Sequence, residues 1–548
     1  MSNANVEQVK LDSNGLFEPL AGDLAGSDAF LSDAGKILIK FHGSYEQTDR
    51  DKRGQAKEYS FMIRSKLPGG KLTAAQYLVH DEIASKFGNE TLRITTRQGI
   101  QFHGVIKGEL RDTIRALNHA LVTTFGACGD VVRNVMCCPA PTTDPQRLRV
   151  QQVADELSLA TLPTTRAYHQ IWLDGEAVVQ DEHDKLYGKT YLPRKFKVGI
   201  AYAGDNCVDV FTNDAGLIAL FDEQNQLTGF NVVAGGGMGI THNDDKTFAR
   251  LADLVGFVMP DQALEVIQAI VTVHRDFGDR TNRKHARLKY VLHEWGVEKF
   301  ISELQSRLSF VLQAARPMPE FRVDDHLGWH ALDNGSLFLG LPIDSGRIAD
   351  RGTQRLRSGI KQIVQRYDLS VRLTPQQNII LADIKPDDRA DIEAALTEYG
   401  ITRVDTITGL RRSALACPAL PTCGLAITEA ERAMPHLIED MEGALEETGL
   451  IQEPIVMRVT GCPNGCARPY SAELAFVGRS LNKYVIYLGG NAVGTRLARP
   501  FKDVVPIDKL APTMKLIFAD YKLHRMTSEA FGDYCNRVGF EALAALIP

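Results

Sequence analysis

The chain has 548 residues, 44% hydrophobic and 24% charged, with a net charge of −6 at pH 7. That length can bury several cores and predicts three or more structural units. The mildly acidic balance removes the overall electrostatic case for a nucleic-acid binder, and no apolar run approaches a membrane span. The opening MSNANVEQVKLDSNG lacks a basic n-region and an apolar h-region, so a reducing, cytoplasmic setting is expected.

Residues 1–37 read as a polar, loosely structured N-terminal arm. AAQYLVHDEIASKFG then has a helical pattern, and LRITTRQGIQFHGV (92–105) alternates apolar and polar residues before an apolar run, as a strand does. The same succession returns as GIKQIVQRYDL and VRLTPQQNIILADI (371–384). Aligned without gaps, Arg93 meets Arg372, Thr95 meets Thr374, Gln98 meets Gln377 and Ile100 meets Ile379. Downstream, VVRNVMCCPAP is echoed by RRSALACPALPTC, and NVVAGGGMGI by YLGGNAVGTR. These ordered matches predict two homologous halves, each an α+β pair of units, with boundaries near 150, 320 and 400. Gln376 and Ala382 stand in the second copy where Arg97 and His103 stand in the first, so basic ligand-binding residues concentrate in the first half.

Those basic residues are Arg64, Arg93, Arg97, Arg133, Lys195 and Lys197, all in strand-like, partly apolar surroundings. Taken singly, each has a solvated strand face as its usual fate. Lys195 and Lys197, two apart, share one face of a strand while Phe196 and Val198 take the other. Together they can line a pocket for a small oxyanion or a polycarboxylate, with arginine recognising planar oxyanions and lysine offering a compact charge and a proton. The AGGGMG stretch (Gly235, Gly236, Gly237, Gly239) lacks the GxGxxG order of a dinucleotide site, so no nicotinamide site is expected. It reads as a turn, or as backbone lying close against a flat cofactor.

Four of the nine cysteines gather near the C-terminus, Cys417 and Cys423 in CPALPTC and Cys462 and Cys466 in TGCPNGC. Thiolates in fours hold zinc or an iron–sulfur cube, and buried inert thiols are the bland alternative. Zinc ribbons usually set two residues between paired cysteines; the wider gaps here suit a larger [4Fe–4S] object. Pro418, Pro463, Gly461 and Gly465 let the chain wrap it. Cys128, Cys137, Cys138, Cys207 and Cys535 show no such frame and read as inert buried thiols.

TGCPNGC behind a C-x5-C pair resembles the siroheme-containing sulfite and nitrite reductases, as do FHGSYEQTDRDKRG, FMIRSKLPGG, LRITTRQGIQFHG, VVRNV, YLPRKFK and RTNRKHARLKY. The resemblance covers about residue 38 to the C-terminus. It implies an α+β fold with a pseudo-twofold repeat: ferredoxin-like half-domains at 38–150 and 321–400, and siroheme- and [4Fe–4S]-binding α/β domains at 151–320 and 401–548. It implies a [4Fe–4S] cluster on Cys417, Cys423, Cys462 and Cys466, with Cys466 bridging to siroheme iron. By the same resemblance Arg64, Arg133, Lys195 and Lys197 surround the substrate anion, and Arg93, Arg97, Gln101, Asn464 and Lys289 contact siroheme. The activity implied is six-electron reduction of sulfite to sulfide. Nitrite-reducing relatives tend to carry asparagine in place of Lys197, so nitrite reduction is the alternative. A cluster-dependent lyase would need only three cysteines. With no flavin domain, electrons must come from a partner, and FHGSYEQ and YSFMIRSK look nearer to ferredoxin-dependent enzymes than to the hemoprotein paired with a diflavin reductase. Neither nucleic acid nor a membrane is an expected partner.

Overall fold

The structure is a computed structural model that describes residues 3–52, 54–164, 172–173, 176–177 and 184–547. Its fold is α+β, built from two pairs of matching sheets. The first small sheet orders Ser44–Thr48, Tyr59–Arg64, Ile100–Val105 and Leu92–Ile94, and ends on Arg347–Ile348 from the second half. Its counterpart orders Gly328–Ala331, Leu337–Leu341, Ile379–Ile384 and Ser370–Leu373, and ends on Lys71–Leu72 from the first half. Each half therefore lends its neighbour an edge strand, paired as Arg347 with Arg93 and Arg372 with Lys71. The exchange protects both edges from stray pairing and fixes the halves in register.

The two larger sheets also match. One runs Met136–Cys137, Val198–Tyr202, Ala215–Phe221, Leu227–Ala234, Asp253–Val258; the other runs Leu415–Ala416, Met457–Thr460, Leu474–Ser480, Lys483–Leu488, Arg499–Pro506. In both, the first two pairings are parallel and the last two antiparallel. Ala215–Phe221 (AGLIALF) is apolar almost throughout and buried on both faces, as a covered central strand must be. Met136–Cys137 already belongs to this sheet, so the sheet boundary falls earlier than a break at 150.

Two sequence expectations change. The segments 92–105 and 371–384 are hairpins rather than single strands, turning at Gln98 and Gln377, both in the left-handed region with φ 55° and 66°. The N-terminal segment is not loose. It forms helices Asn3–Asp12, Leu20–Ala25 and Asp33–Leu38, and Leu16, Leu20 and Leu31 enter the main core. Lys10 is buried, donating to the Leu192 carbonyl (2.9 Å) beside Glu7 and Asp130. Scattered leucines in a polar stretch carry no clear period, so only their tertiary partners reveal this anchoring. One apolar core runs from Leu16 to Ile401 and a second from Leu410 to Leu543. No helix among the described residues is long and apolar enough to cross a membrane.

Candidate active site at the junction of the halves

The cysteine loops leave the parallel ends of the last sheet. Cys417 directly follows Leu415–Ala416, and its amide donates to the Val459 carbonyl (3.2 Å). Cys462 lies two residues beyond Met457–Thr460. The Gly461 amide donates to Cys417 Sγ (3.3 Å), and its carbonyl accepts from Ile427 and Thr428. A Cβ on Gly461 would stand 2.5 Å from the Thr428 oxygen, so only glycine fits this approach. Arg50 Nη1 donates to the carbonyls of Cys423, Gly424 and Ala426, fastening the first loop to the first half. Asn464 Nδ2 reaches Cys462 Sγ at 3.6 Å. Burial pushes the thiols of Cys417, Cys423 and Cys462 up, that of Cys462 to about 12, and the Cys466 charge pushes all three further. Four thiols that feel one another in this way suit a cationic cluster, which holds such sulfurs as thiolates.

Cys466 is exposed, and its loop is pinned by the turns of both hairpins. Thr96 Oγ1 donates to the Cys466 carbonyl (3.0 Å), while Arg468 donates to the carbonyls of Thr96 (2.8 Å) and Pro375 (3.0 Å) and to Asp209 (2.6 Å). The glycine-rich loop closes on the same place. Ile240 N donates to the Pro463 carbonyl (3.0 Å), and Met238 packs with Tyr470 and Val477. The stretch read as a turn or a cofactor-facing loop thus braces the second cysteine pair.

The basic residues converge beside it around a residue the sequence reading missed. Asp214, fully buried, accepts from Arg287 Nε (2.8 Å) and Nη2 (2.7 Å) and from the Lys197 amide (2.9 Å). This places Arg287 and the Lys195–Lys197 strand end together. Burial brings Lys195 down to about 7, with Arg194 and Arg287 adding repulsion and the neighbouring Cys466 opposing it. Lys197 is pushed well down by burial, Lys195 and Arg97. Arg97 donates to Asn213 Oδ1 (2.8 Å) and to the carbonyls of Asn134 and Val198, and burial lowers it to about 9. Arg133 is held by the carbonyls of Gly129 (2.8 Å) and Ala127 (3.4 Å), with Tyr45 against it.

Strand register explains the rest. Arg64 pairs with Gln101, Gln101 with Arg93, and Arg93 with Arg347, so one row crosses four strands on one face. Gln101 Nε2 reaches Met62 Sδ, and among the described residues Gln101 Oε1, Arg64 Nε and Arg97 Nε are buried without a protein partner. Arg93 and Arg347 both bond Glu431, and Arg93 also donates to the Ala416 carbonyl next to Cys417. Arg93 thereby adjoins the cysteine loop, with Gln101 its neighbour on the next strand. Lys289 gives its ammonium to the carbonyls of Gly237 (3.3 Å), Gly239 (2.7 Å) and Phe248, so it fastens the glycine-rich loop. Asp214, Arg287, Glu431 and Arg468 went unnoticed because none stands in a paired motif. Arg287 lies within RTNRKHARLKY and Arg468 two residues beyond TGCPNGC, which is the local signal they carry.

The description "Nitrite/Sulfite reductase ferredoxin-like half domain" matches residues 53–120 and 330–399, and "Nitrite and sulphite reductase 4Fe-4S domain" matches 152–312. The latter match falls on the first large unit, while the cysteine quartet sits in its repeat. A protein of Synechococcus elongatus called "Sulfite reductase [ferredoxin]" is 46% identical, covering 98% of this chain and 90% of its own. The chain belongs to the nitrite and sulfite reductase family. A "Sulfite reductase [NADPH] hemoprotein beta-component" of Myxococcus xanthus is 45% identical, covering 100% of this chain and 98% of its own. A solved structure titled "Structure of Mycobacterium tuberculosis NirA protein" shares the fold, with a TM-score of 0.81 and 24% identity, over 99% of this chain and 97% of that one.

As a family member the chain takes siroheme and a [4Fe–4S] cluster. Its residues fit both. Four mutually repelling thiols suit the cluster. Among the described residues the buried Nε groups of Arg64 and Arg97 have no protein partner, and Arg97 stands beside Lys195, Lys197 and Arg287; such donors suit a carboxylate-rich macrocycle and an anionic substrate.

Proposed function

We propose that this chain reduces sulfite to sulfide, sulfur passing from +4 to −2 with six electrons and the protons that release three oxygens as water. The reading rests on the convergence of Lys195, Lys197, Arg97 and Arg287 next to Cys466, whose loop is held there by Thr96 and Arg468. When bound, the cluster and siroheme supply the electron path and the iron that takes the anion. Cys417, Cys423, Cys462 and Cys466 would hold the cluster, with Cys466 shared toward siroheme. Arg97, Gln101, Arg93 and Asn464 would seat the macrocycle, and Lys289 would keep the glycine-rich loop against it.

Arg64, Arg133, Lys195 and Lys197 would bind the substrate oxyanion. Fixed guanidinium and ammonium donors in a buried site stabilise developing negative charge without reorganising. Lys195, held near 7, is matched to proton delivery at neutral pH. Asp214 would keep Arg287 and the Lys197 backbone in place.

We favour ferredoxin as electron donor and the cytoplasm as location. The relative named as ferredoxin-dependent is 46% identical. Electrons would enter at the Cys423 loop, where Leu425 is 69% exposed and Arg50 ties the loop down. The NADPH hemoprotein relatives support a diflavin reductase as the second reading.

The test measures sulfide formed from sulfite by the purified holoenzyme, first with reduced methyl viologen, then with reduced ferredoxin or with a diflavin reductase and NADPH. Sulfide from viologen is expected, with ferredoxin the better protein donor and its rate falling as salt rises. Nitrite turnover without sulfide would overturn the reading. A stable complex with the flavoprotein would overturn the donor assignment.

A further inference from the structure

Two cysteines read as inert occupy, in the first half, the places of two cluster cysteines in the second. Cys138 directly follows Met136–Cys137 as Cys417 follows Leu415–Ala416, and both strands pair in parallel with the next strand of their sheet. Cys207 stands two residues before Asp209, and Cys466 two before Arg468. Asp209 and Arg468 are both left-handed (φ 49° and 55°) and open matching turns, Val210–Thr212 and Pro469–Ser471. No other first-half cysteine joins Cys138 and Cys207 there; Asp205 and His326 do.

We propose that Cys138, Asp205, Cys207 and His326 form a second, tetrahedral metal site that takes a single zinc ion. Their ligand atoms all lie within 4.8 Å of one another. Cys138 Sγ is 3.4 Å from His326 Nε2 and 3.7 Å from Asp205 Oδ2. In a tetrahedron with zinc–sulfur bonds of about 2.3 Å and zinc–nitrogen or –oxygen bonds of about 2.0–2.1 Å, such edges are about 3.5 Å.

The surroundings orient each donor. Asp205 Oδ1 accepts from the amides of Cys207 (3.0 Å) and Asp324 (3.4 Å), which leaves Oδ2 for the ion. His326 Nδ1 faces Asp324 Oδ1 at 3.5 Å, the carboxylate–imidazole arrangement that presents the other ring nitrogen to a metal. His326 itself is left-handed (φ 54°), a conformation that is costly for a histidine unless its position serves a purpose. Cys138, Cys207 and His326 are buried at 2%, 1% and 6% exposure, while Asp205 is partly open and gives an ion its way in. A disulfide would use the two thiols and leave the aligned imidazole and carboxylate without purpose.

The ion would bind two thiolates, one carboxylate and a neutral imidazole, releasing the thiol protons to solvent. Its place in the chain gives the role. His326 lies on the connector between the helix Leu288–Gln305 and the strand Gly328–Ala331 that opens the second half. The connector already pairs with the first half through Asn206 N to the Arg322 carbonyl (2.8 Å) and Arg322 N to the Gly204 carbonyl (3.0 Å). Zinc would clamp the halves together here.

The test is metal analysis and zinc-edge X-ray absorption on holoenzyme purified without chelator and supplied with one equivalent of zinc chloride. The expected result is about one zinc per chain beside the iron, with two sulfur neighbours at about 2.3 Å and two nitrogen or oxygen neighbours. Cys207→Ser and His326→Ala should each lose that zinc and melt earlier, while iron content and the siroheme spectrum stay as in the parent. If the variants fail to fold, the absorption measurement on the parent decides alone. Zinc below roughly a tenth of an equivalent, zinc kept by both variants, or a Cys138–Cys207 disulfide in non-reducing peptide mapping would overturn the proposal.

Discussion

Gln98 and Gln377 bond across the pseudo-twofold axis into each other's hairpin. Gln98 Nε2 donates to the carbonyl of Leu373 (2.9 Å), and Gln377 Nε2 donates to that of Ile94 (3.3 Å), the residue equivalent to Leu373. Gly70 and Gly346 lie in the same contacts. A Cβ on Gly70 would come 2.4 Å from the Leu373 oxygen, and one on Gly346 would come 2.3 Å from the Ile94 oxygen. The repeat is thus a working interface, in which each copy satisfies backbone groups of the other.

The two glutamines should differ in weight. Gln98 also donates to the carbonyls of Gly69 and Cys137 and accepts from the Cys137 amide, whereas Gln377 adds only Ser345. Each buried group left unpaired costs about 1–3 kcal/mol. Gln98→Ala should therefore lower stability in urea clearly more than Gln377→Ala. Equal losses would show that the interface depends on the edge-strand exchange alone.

Cys466→Ser should abolish sulfite reduction and the spectral coupling of cluster and siroheme, because a hard oxygen bridges two irons poorly compared with a polarizable thiolate. The visible spectrum and methyl viologen turnover check this. Parent-like absorption with normal turnover would rule out the bridging role.

Lys197→Asn should reduce kcat/KM for sulfite more than for nitrite. Lys197 sits within a ring of like charges from Lys195, Arg97 and Arg287, and losing one donor from a buried oxyanion site costs about 2–4 kcal/mol. Sulfite, the more highly charged anion, depends on it more. Matching losses for both anions would remove Lys197 from selectivity.

Turnover should fall as pH rises through about 7. Burial, Arg194 and Arg287 bring Lys195 down to about 7, so its ammonium is present below that value and lost above it. In Lys195→Arg the guanidinium stays charged but gives up no proton, so kcat should drop and this alkaline limb disappear while sulfite KM changes little. An unchanged pH profile in the variant would assign proton delivery elsewhere.

Stability should decline in acid through Glu431. Burial raises its carboxyl, but Arg93 and Arg347 outweigh burial and hold it at about 2, against 4.5 ordinarily. A depressed acid stabilises the fold above its ordinary value and loses that contribution as pH falls from 4.5 toward 2. The contribution is about 3 kcal/mol. Chemical denaturation across that window should show a shallower slope for Glu431→Gln, which is weaker from the start.

The sequence by itself determined the repeat, the cysteine frame and the family, because each is written in local spacing. Lys195 and Lys197 were legible as one face from a separation of two, and TGCPNGC from its glycines and prolines. Only the tertiary structure decided which charges meet. Asp214 and Arg287 are 73 positions apart, and Arg93 and Glu431 are 338 apart; no local pattern encodes such pairs. The edge-strand exchange, the burial of Lys10 and the meeting of Cys138 with His326 likewise depend on packing between distant segments. Burial then fixes the protonation of Lys195 and Glu431, since a charge removed from water takes its pKa from whichever neighbours the fold supplies.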